Sequence, residues 1–329
     1  MKTAFLFPGQ GAQTVGMGAD IIHAFPEAAK VYREANDIVG FDLSRVCFEG
    51  PSDKLNTTAI SQPAIFVTSV AILEILRANP ETKGITANVT AGLSLGEYTA
   101  LYAAGVISFK DALILVHKRG LAMQAAADAH EGGMVSIIGL DEGRVRQLCI
   151  EASQGQLLQP VNFNCPGQIV LSGTKETCKR ATELAEKHGA MKAVALQVAG
   201  AFHTEMMASA AESLSEALQQ AHISEPLDNK NISNSDIKII ANINAEYYTS
   251  ADKIREGLTN QLTCPILWQK CMERLLADGV EKYYEIGPGR VLTSLMKRIN
   301  RKTKVINVSS LDTIKNLVNS EPPINSSII

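Results

Sequence analysis

The sequence predicts an α/β protein: a core of alternating strands and helices on a parallel sheet, interrupted by one smaller α+β unit. Three observations carry the prediction. Short apolar strands alternate with helices over most of the chain, the pattern of a parallel sheet covered by its crossovers. Gly92-Leu93-Ser94-Leu95-Gly96 sets a serine between two glycines where a strand runs into a helix. Residues 130–198 change texture to a β-α-β-β-α-β order, the split βαβ plan of a ferredoxin-like unit.

In chain order, residues 3–7 read as an apolar strand ending in Pro8-Gly9-Gln10-Gly11-Ala12-Gln13. A glycine-rich loop after a strand invites a dinucleotide site, and the spacing refuses it. The third glycine would fall where Thr14 stands, and no acidic residue follows at the required distance. The Gly-Lys-Ser/Thr of a phosphate loop is also absent. What remains is a tight loop at a strand's carboxyl end presenting the Gln10 amide.

A helix is expected over 19–39, stopped by Gly40, then a turn-rich stretch over 41–56. Gln62-Pro63 opens a long helix through residue 76, since proline is favoured at a first helical position. Residues 85–91 form the strand before the serine, and 97–104 the helix after it. Glu97 lies in that helix's first turn, where the helix dipole favours an acid. Over 111–127, Leu113, Ile114, Val116 and Leu121 recur at helical spacing.

The smaller unit comprises strand 134–140, helix 142–152, strands 159–164 and 168–172, helix 175–188 and strand 191–198. Gly132-Gly133 and Gly200 bound it. The first pattern then resumes: helix 204–222, strand 237–243, helices 251–262 and 268–278, and strand 282–285. Gly287-Pro288-Gly289 opens a helix to 299, and 304–308 is a last strand. The core is therefore split into 1–129 and 199–310 around an insertion at 130–198. Residues 311–329, ending in Pro322-Pro323 and polar residues, read as a flexible tail.

Composition narrows the function classes. The net charge of −3 offers no basic footprint for nucleic acid or for an anionic membrane surface. No uninterrupted apolar run approaches the roughly 20 residues that span a bilayer. The apolar start is cut short at Pro8, too early for a signal sequence. The six cysteines lack C-x-x-C spacing and read as free thiols of a cytoplasmic protein. No His/Cys cluster suggests zinc, so neither a metal nor any other cofactor is expected.

A serine hydroxyl needs a base within hydrogen-bond reach to act as a nucleophile. His23, His130, His188 and His222 fall in polar segments or at helix ends, and His117 lies inside an apolar helix. His203 alone follows a strand and precedes a helix, in Ala199-Gly200-Ala201-Phe202-His203, where catalytic groups gather in α/β sheets. No acid completes a triad. Asp128 and Asp141 lie too near the inserted unit, and Glu205 too close to His203. A Ser94–His203 dyad with a backbone carbonyl orienting the imidazole fits better. Arg119, one helix beyond the serine, is the remaining candidate, although an arginine on a helix is more often solvated.

Several segments together resemble the malonyl-CoA:acyl carrier protein transacylases, in order and over residues 1 to about 310. They are Phe7-Pro8-Gly9-Gln10-Gly11, Gln62-Pro63-Ala64, Gly92-Leu93-Ser94-Leu95-Gly96-Glu97-Tyr98, Arg119-Gly120 with Met123, Ala201-Phe202-His203, Asn260-Gln261-Leu262 and Glu285-Ile286-Gly287-Pro288-Gly289. The resemblance implies an α/β-hydrolase-like core with a ferredoxin-like subdomain, acting as a monomer. It implies ping-pong transfer from malonyl-CoA to the phosphopantetheine thiol of an acyl carrier protein. Ser94 would be the nucleophile and His203 the base, held by the backbone carbonyl at Gln261. Gln10 and the Leu95 N–H would form the oxyanion hole, Arg119 would grip the malonyl carboxylate, and Met123 and Phe202 would line the pocket. One residue departs from the pattern: Leu93 stands where most members carry histidine. That feature is similar to free-standing enzymes that load polyketide synthases, and it turns the expectation toward polyketide rather than fatty acid synthesis. The rivals are an editing acyl hydrolase, which needs no carboxylate clamp, and a non-catalytic docking module.

Overall fold

A five-stranded parallel sheet carries the serine loop at its carboxyl edge in the computed structural model, which describes residues 1–226 and 237–320. Its central strand β1 (Lys2–Phe7) is buried at all but its first residue, as expected of a parallel strand covered on both faces. Four helices follow: α1 (Ala19–Ile22), α2 (Pro26–Val39), α3 (Leu43–Glu49) and α4 (Ser52–Asn56). The one helix expected over 19–39 is therefore two. Pro26 starts the second at its first position, where the missing N–H has no intrahelical partner to lose. The stretch read as turn-rich holds α3, capped by the Asp42 carboxylate on the Arg45 N–H, and α4.

Helix α5 (Thr58–Ala78) begins before Pro63, which lies inside it. Thr58, Ser61 and Gln62 are buried, and the Thr58 N–H donates to the Gln124 side chain at 3.0 Å. A distant helix thus starts α5 earlier than local propensity does. By length and composition α5 matches a membrane span, but 83% of its most apolar window is buried within this fold, so it serves as a core helix.

Strand β2 (Val89–Gly92) pairs with β1, Phe7 lying opposite Gly92. It starts at Val89 rather than 85 because the Asn88 side chain turns back to accept from the Thr3 N–H at 2.8 Å. α6 (Gly96–Ala103) and α7 (Phe109–Asp128) complete this part of the core.

The smaller unit comprises β3 (Gly132–Ile138), α8 (Glu142–Ser153), β4 (Leu158–Cys165), β5 (Gln168–Thr174), α9 (Lys175–Leu184) and β6 (Lys192–Ala195). That is the β-α-β-β-α-β order expected. Its antiparallel sheet runs β4-β5-β3-β6. Strand alternation divides its faces: Val135 and Ile137 enter the unit's own core, while Met134 and Ser136 face the cleft toward the large sheet. Strand β4 also ties the unit to the core, because the Phe163 N–H donates to the Ile266 carbonyl and the Ile266 N–H to that of Val161, at 2.9 and 2.7 Å.

The chain returns through a short 3-10 turn (Glu205–Met207) to α10 (Ala208–Gln220), β7 (Lys238–Ile239), α11 (Ala251–Asn260) and α12 (Trp268–Ala277). It closes with β8 (Val280–Ile286), α13 (Val291–Ile299), β9 (Val305–Val308) and α14 (Leu311–Ser320). The large sheet runs β7-β2-β1-β8-β9, every pair parallel. β7 is shorter than the strand expected over 237–243: Ile240 instead bridges Tyr247 across a tight turn containing Asn242. The flexible tail expected over 311–329 begins with a helix instead, because Ile314 and Leu317 of α14 bury into the main core. Residues 321–329 lie outside the described residues.

Candidate active site

The turn from β2 into α6 is too tight for side chains at its flanks. A Cβ on Gly92 would stand 1.9 Å from the Gly96 carbonyl, and one on Gly96 would stand 2.2 Å from the Phe7 carbonyl oxygen. Between them Ser94 adopts a left-handed backbone, with φ of 49°, which costs a non-glycine residue about 1–3 kcal/mol and so needs support from its surroundings. Two side-chain amides supply it. Asn242 accepts from the Ser94 N–H at 2.6 Å and donates to the Gly92 carbonyl at 2.8 Å, and Gln261 donates from Nε2 to the Ser94 carbonyl at 3.1 Å.

His203 reaches the serine from the loop between β6 and α10, its Nε2 3.2 Å from Ser94 Oγ. It too has a left-handed backbone, with φ of 61°. Its Nδ1 lies 2.7 Å from the Gln261 carbonyl oxygen. A carbonyl can only accept, so Nδ1 carries the proton and Nε2 is left to receive that of the serine. Burial, reinforced by the Arg119 cation, lowers the His203 pKa to about 4 against the bond to Gln261, which raises it. The imidazole is therefore neutral at physiological pH. A neutral sulfonyl fluoride, whose attack on Ser94 requires the base alone, should label the serine at a rate that is flat above pH 5 and falls as pH drops through about 4. A midpoint at the ordinary histidine value would contradict this environment.

Arg119, on α7, is 1% exposed. It donates from Nη1 to Gln62 Oε1 at 2.7 Å, and from Nη2 to Gln261 Oε1 at 2.9 Å and Ser94 Oγ at 3.0 Å. Its Nε has no partner, and its guanidinium lies 5.7 Å from the centre of the Tyr98 ring. Burial lowers its pKa, opposed by Tyr98 and Glu97. Glu97 is equally buried. Its carboxylate accepts from the Tyr248 hydroxyl at 2.5 Å, from Gln261 Nε2 at 2.8 Å and from the Asn242 N–H at 3.2 Å. Desolvation raises its pKa to about 7, against those donors and Arg119.

These groups open into a cleft of about 440 Å³ between the two sheets, lined by Gln10, Met123 and Phe202 as well as Ser94, Arg119 and His203. The Gln10 amide donates weakly to Thr58 Oγ1 at 3.4 Å, and Leu95 is the N-cap of α6, directly after the serine. Leu93 lines the same cleft and packs against the apolar cluster around Ala91 and Ile240. The structure thus gathers Ser94, His203, Arg119, Gln261, Gln10, Leu95, Met123 and Phe202 at one place. The histidines set aside lie elsewhere; His117 packs on Phe41 and His188 pairs with Glu151. Among the described residues no group of His, Cys, Asp or Glu is arranged to hold a metal.

Four residues escaped the sequence reading as site residues. In sequence Glu97 is only an acid that the helix dipole favours. Gln62 stands in the Gln62-Pro63-Ala64 segment without a role, although a polar residue on an apolar helix signals a buried partner. Asn242 and Tyr248 follow β7, and Asn242 lies near the carboxyl end of a parallel strand, where functional groups collect.

Residues 4–311 match the family model described as acyl transferase domain. The chain is 43% identical over 315 residues, 95% of both proteins, to the malonyl CoA-acyl carrier protein transacylase of Bacillus subtilis. It is 41% identical to that of Escherichia coli K12, covering 90% of this chain and 92% of the relative. Among solved structures, a malonyl-transacylase in complex with a type II polyketide synthase acyl-carrier protein superposes with a TM-score of 0.90 at 38% identity, covering 97% of this chain and 99% of the other. An acyl carrier protein S-malonyltransferase from Vibrio cholerae gives 0.88 at 38% identity, covering 96% and 100%. Its serine elbow, its dyad and these likenesses agree: the chain belongs to the acyl transferase domain family, among the malonyl-CoA:acyl carrier protein transacylases.

Proposed function

We propose that the chain transfers a malonyl group from malonyl-CoA to the phosphopantetheine thiol of an acyl carrier protein, through a malonyl ester of Ser94. The observation that carries this reading is the buried guanidinium of Arg119, 3.0 Å from the nucleophilic oxygen. In a seryl malonate the free carboxylate is one methylene away from the ester carbonyl. A cation that grips it must therefore lie beside Oγ, in a dry site where a two-pronged guanidinium–carboxylate contact is strong. An editing hydrolase has no use for such a group.

In this mechanism Ser94 Oγ attacks the thioester carbonyl while its proton passes to His203 Nε2. The oxyanion is met by the Gln10 amide and the Leu95 N–H. Collapse expels CoA thiolate, which takes the proton from His203. The carrier's thiol then repeats the sequence on the ester, with His203 again base and then acid. Phe202 and Met123 wall the acyl pocket, so an extra α-methyl meets steric resistance. Gln10→Ala should lower malonyl transfer on the order of 10²–10³-fold with little change in malonyl-CoA binding, the loss expected for one oxyanion donor. A matching rise in KM would instead make Gln10 a binding residue.

The proposed setting is the cytoplasm, in keeping with six free cysteines. Leu93 supports a carrier of polyketide rather than fatty acid synthesis. The test is to incubate the protein with malonyl-, methylmalonyl- or acetyl-CoA, find the adduct by intact mass and peptide mapping, and follow its discharge onto carriers of both kinds. A malonyl adduct on Ser94 that discharges faster onto the polyketide carrier is expected. No adduct would leave only a docking role, and preference for the fatty acid carrier would reverse the assignment of pathway.

A further inference from the structure

The site buries two opposite charges that never touch. Arg119 and Glu97 each bond to neutral groups, and one amide, that of Gln261, joins them: Oε1 accepts from Arg119 Nη2 at 2.9 Å and Nε2 donates to Glu97 Oε2 at 2.8 Å. All three groups bonded to Glu97 donate, so the site is built for an ionised carboxylate. Because a carboxylate can only accept, the Gln261 amide cannot turn over, and its oxygen stays presented to Arg119. Gln62, the Tyr98 ring, the nucleophile's own oxygen and a neutral His203 complete the surroundings of the guanidinium.

We infer that Glu97 is the fixed counter-charge of the carboxylate clamp, acting on Arg119 through the Gln261 side chain and holding the empty site near neutrality. The inference rests on the malonyl reading of the cleft. A lone guanidinium in a dry pocket would hold any small carboxylate that entered, and would release a malonyl product slowly. Glu97 cannot swing away to make room. It remains behind the amide when the substrate carboxylate arrives, so wherever Glu97 is ionised the incoming charge is opposed by one already present. Arg119 can then orient malonyl for transfer without retaining it. Glu97 touches neither substrate nor reacting atoms, and is a positioning and charge-balancing residue.

The test is Glu97→Gln, which keeps the shape and removes the charge; its new amide nitrogen can face the Tyr248 hydroxyl, the one partner able to turn and accept. Free malonate is titrated as a protector of Ser94 against a neutral sulfonyl fluoride at mildly alkaline pH, and KM is measured for malonyl- and acetyl-CoA. Malonate should protect at about tenfold lower concentration in the variant, the effect of deleting one nearby like charge. KM for malonyl-CoA should fall in parallel relative to KM for acetyl-CoA, and protection is read as a ratio to each protein's own unprotected labelling rate. Damage to the site predicts the opposite sign for malonate, so unchanged or weaker protection overturns the inference. Should the variant not fold, Tyr248→Phe decides. It withdraws one donor from Glu97, and protection should tighten by about two- to threefold; no change or weakening again overturns the inference. Wild-type protein that neither gains a malonyl group nor is protected by malonate would refute the malonyl reading itself, a result distinct from failure of the Glu97 variant alone.

Discussion

Ser94→Ala abolishes the malonyl adduct and lowers transfer on the order of 10⁴–10⁶-fold, the loss expected when a covalent route is deleted from a serine site. The size of the effect follows from the geometry. The hydroxyl is held 3.2 Å from a neutral imidazole whose other nitrogen is fixed by the Gln261 carbonyl, whereas Ser136, the other serine lining the cleft, has no hydrogen-bond partner to activate it. The binding groups survive the substitution. KM for malonyl-CoA should move little while kcat collapses, because the Arg119 bonds to Gln62 and Gln261 do not involve the serine. Thermal stability should hold or rise slightly, since only a hydroxyl is removed and the backbone clamp from Asn242 remains. A variant that still forms a stable malonyl adduct would remove Ser94 from the mechanism.

Arg119→Ala should change what the site selects. Malonyl transfer should fall by a few hundredfold, about 3–4 kcal/mol for a desolvated two-pronged contact to a carboxylate. Acetyl transfer should rise or hold. In the native site an acetyl group leaves the guanidinium without a carboxylate, whereas in the variant that penalty is gone. The ratio of kcat/KM for malonyl- and acetyl-CoA is the measurement, and an unchanged ratio would refute the assigned role. Arg119→Lys should recover only part of the loss. An ammonium can replace the charge but cannot reproduce the planar fork that now meets Gln62, Gln261 and Ser94 at once.

What could be read from the sequence, and what could not, divides by range. The elbow was legible because its constraints are local: Gly92, Ser94 and Gly96 lie within five residues and meet the same turn. His203 was legible from its place after a strand, and the smaller unit from the order of its elements. Pro63 misled because local preference places proline at a helix start, while burial of Thr58 and its bond to Gln124 begin the helix earlier. Glu97 misled for a similar reason. In sequence it is an acid in a first turn; in space its partners come from positions 242, 248 and 261, with no local pattern connecting them. The helical start of the expected tail was hidden because a short amphipathic segment shows its purpose only beside the surface that it covers.

The placing of β1 at the middle of the large sheet also governs the order in which the protein can be made. Phe5 lies opposite Tyr284, 279 residues later (284 − 5). At roughly 5–20 residues per second of synthesis, the first strand waits on the order of tens of seconds for that neighbour. The smaller unit has no such delay, since its ladders span at most 60 residues, from Val135 to Ala195 (195 − 135). Its ladders can thus pair before the core that carries the nucleophile can close. During that interval the apolar edge of β1 is open to any chaperone, or to any other nascent chain, that reaches it first.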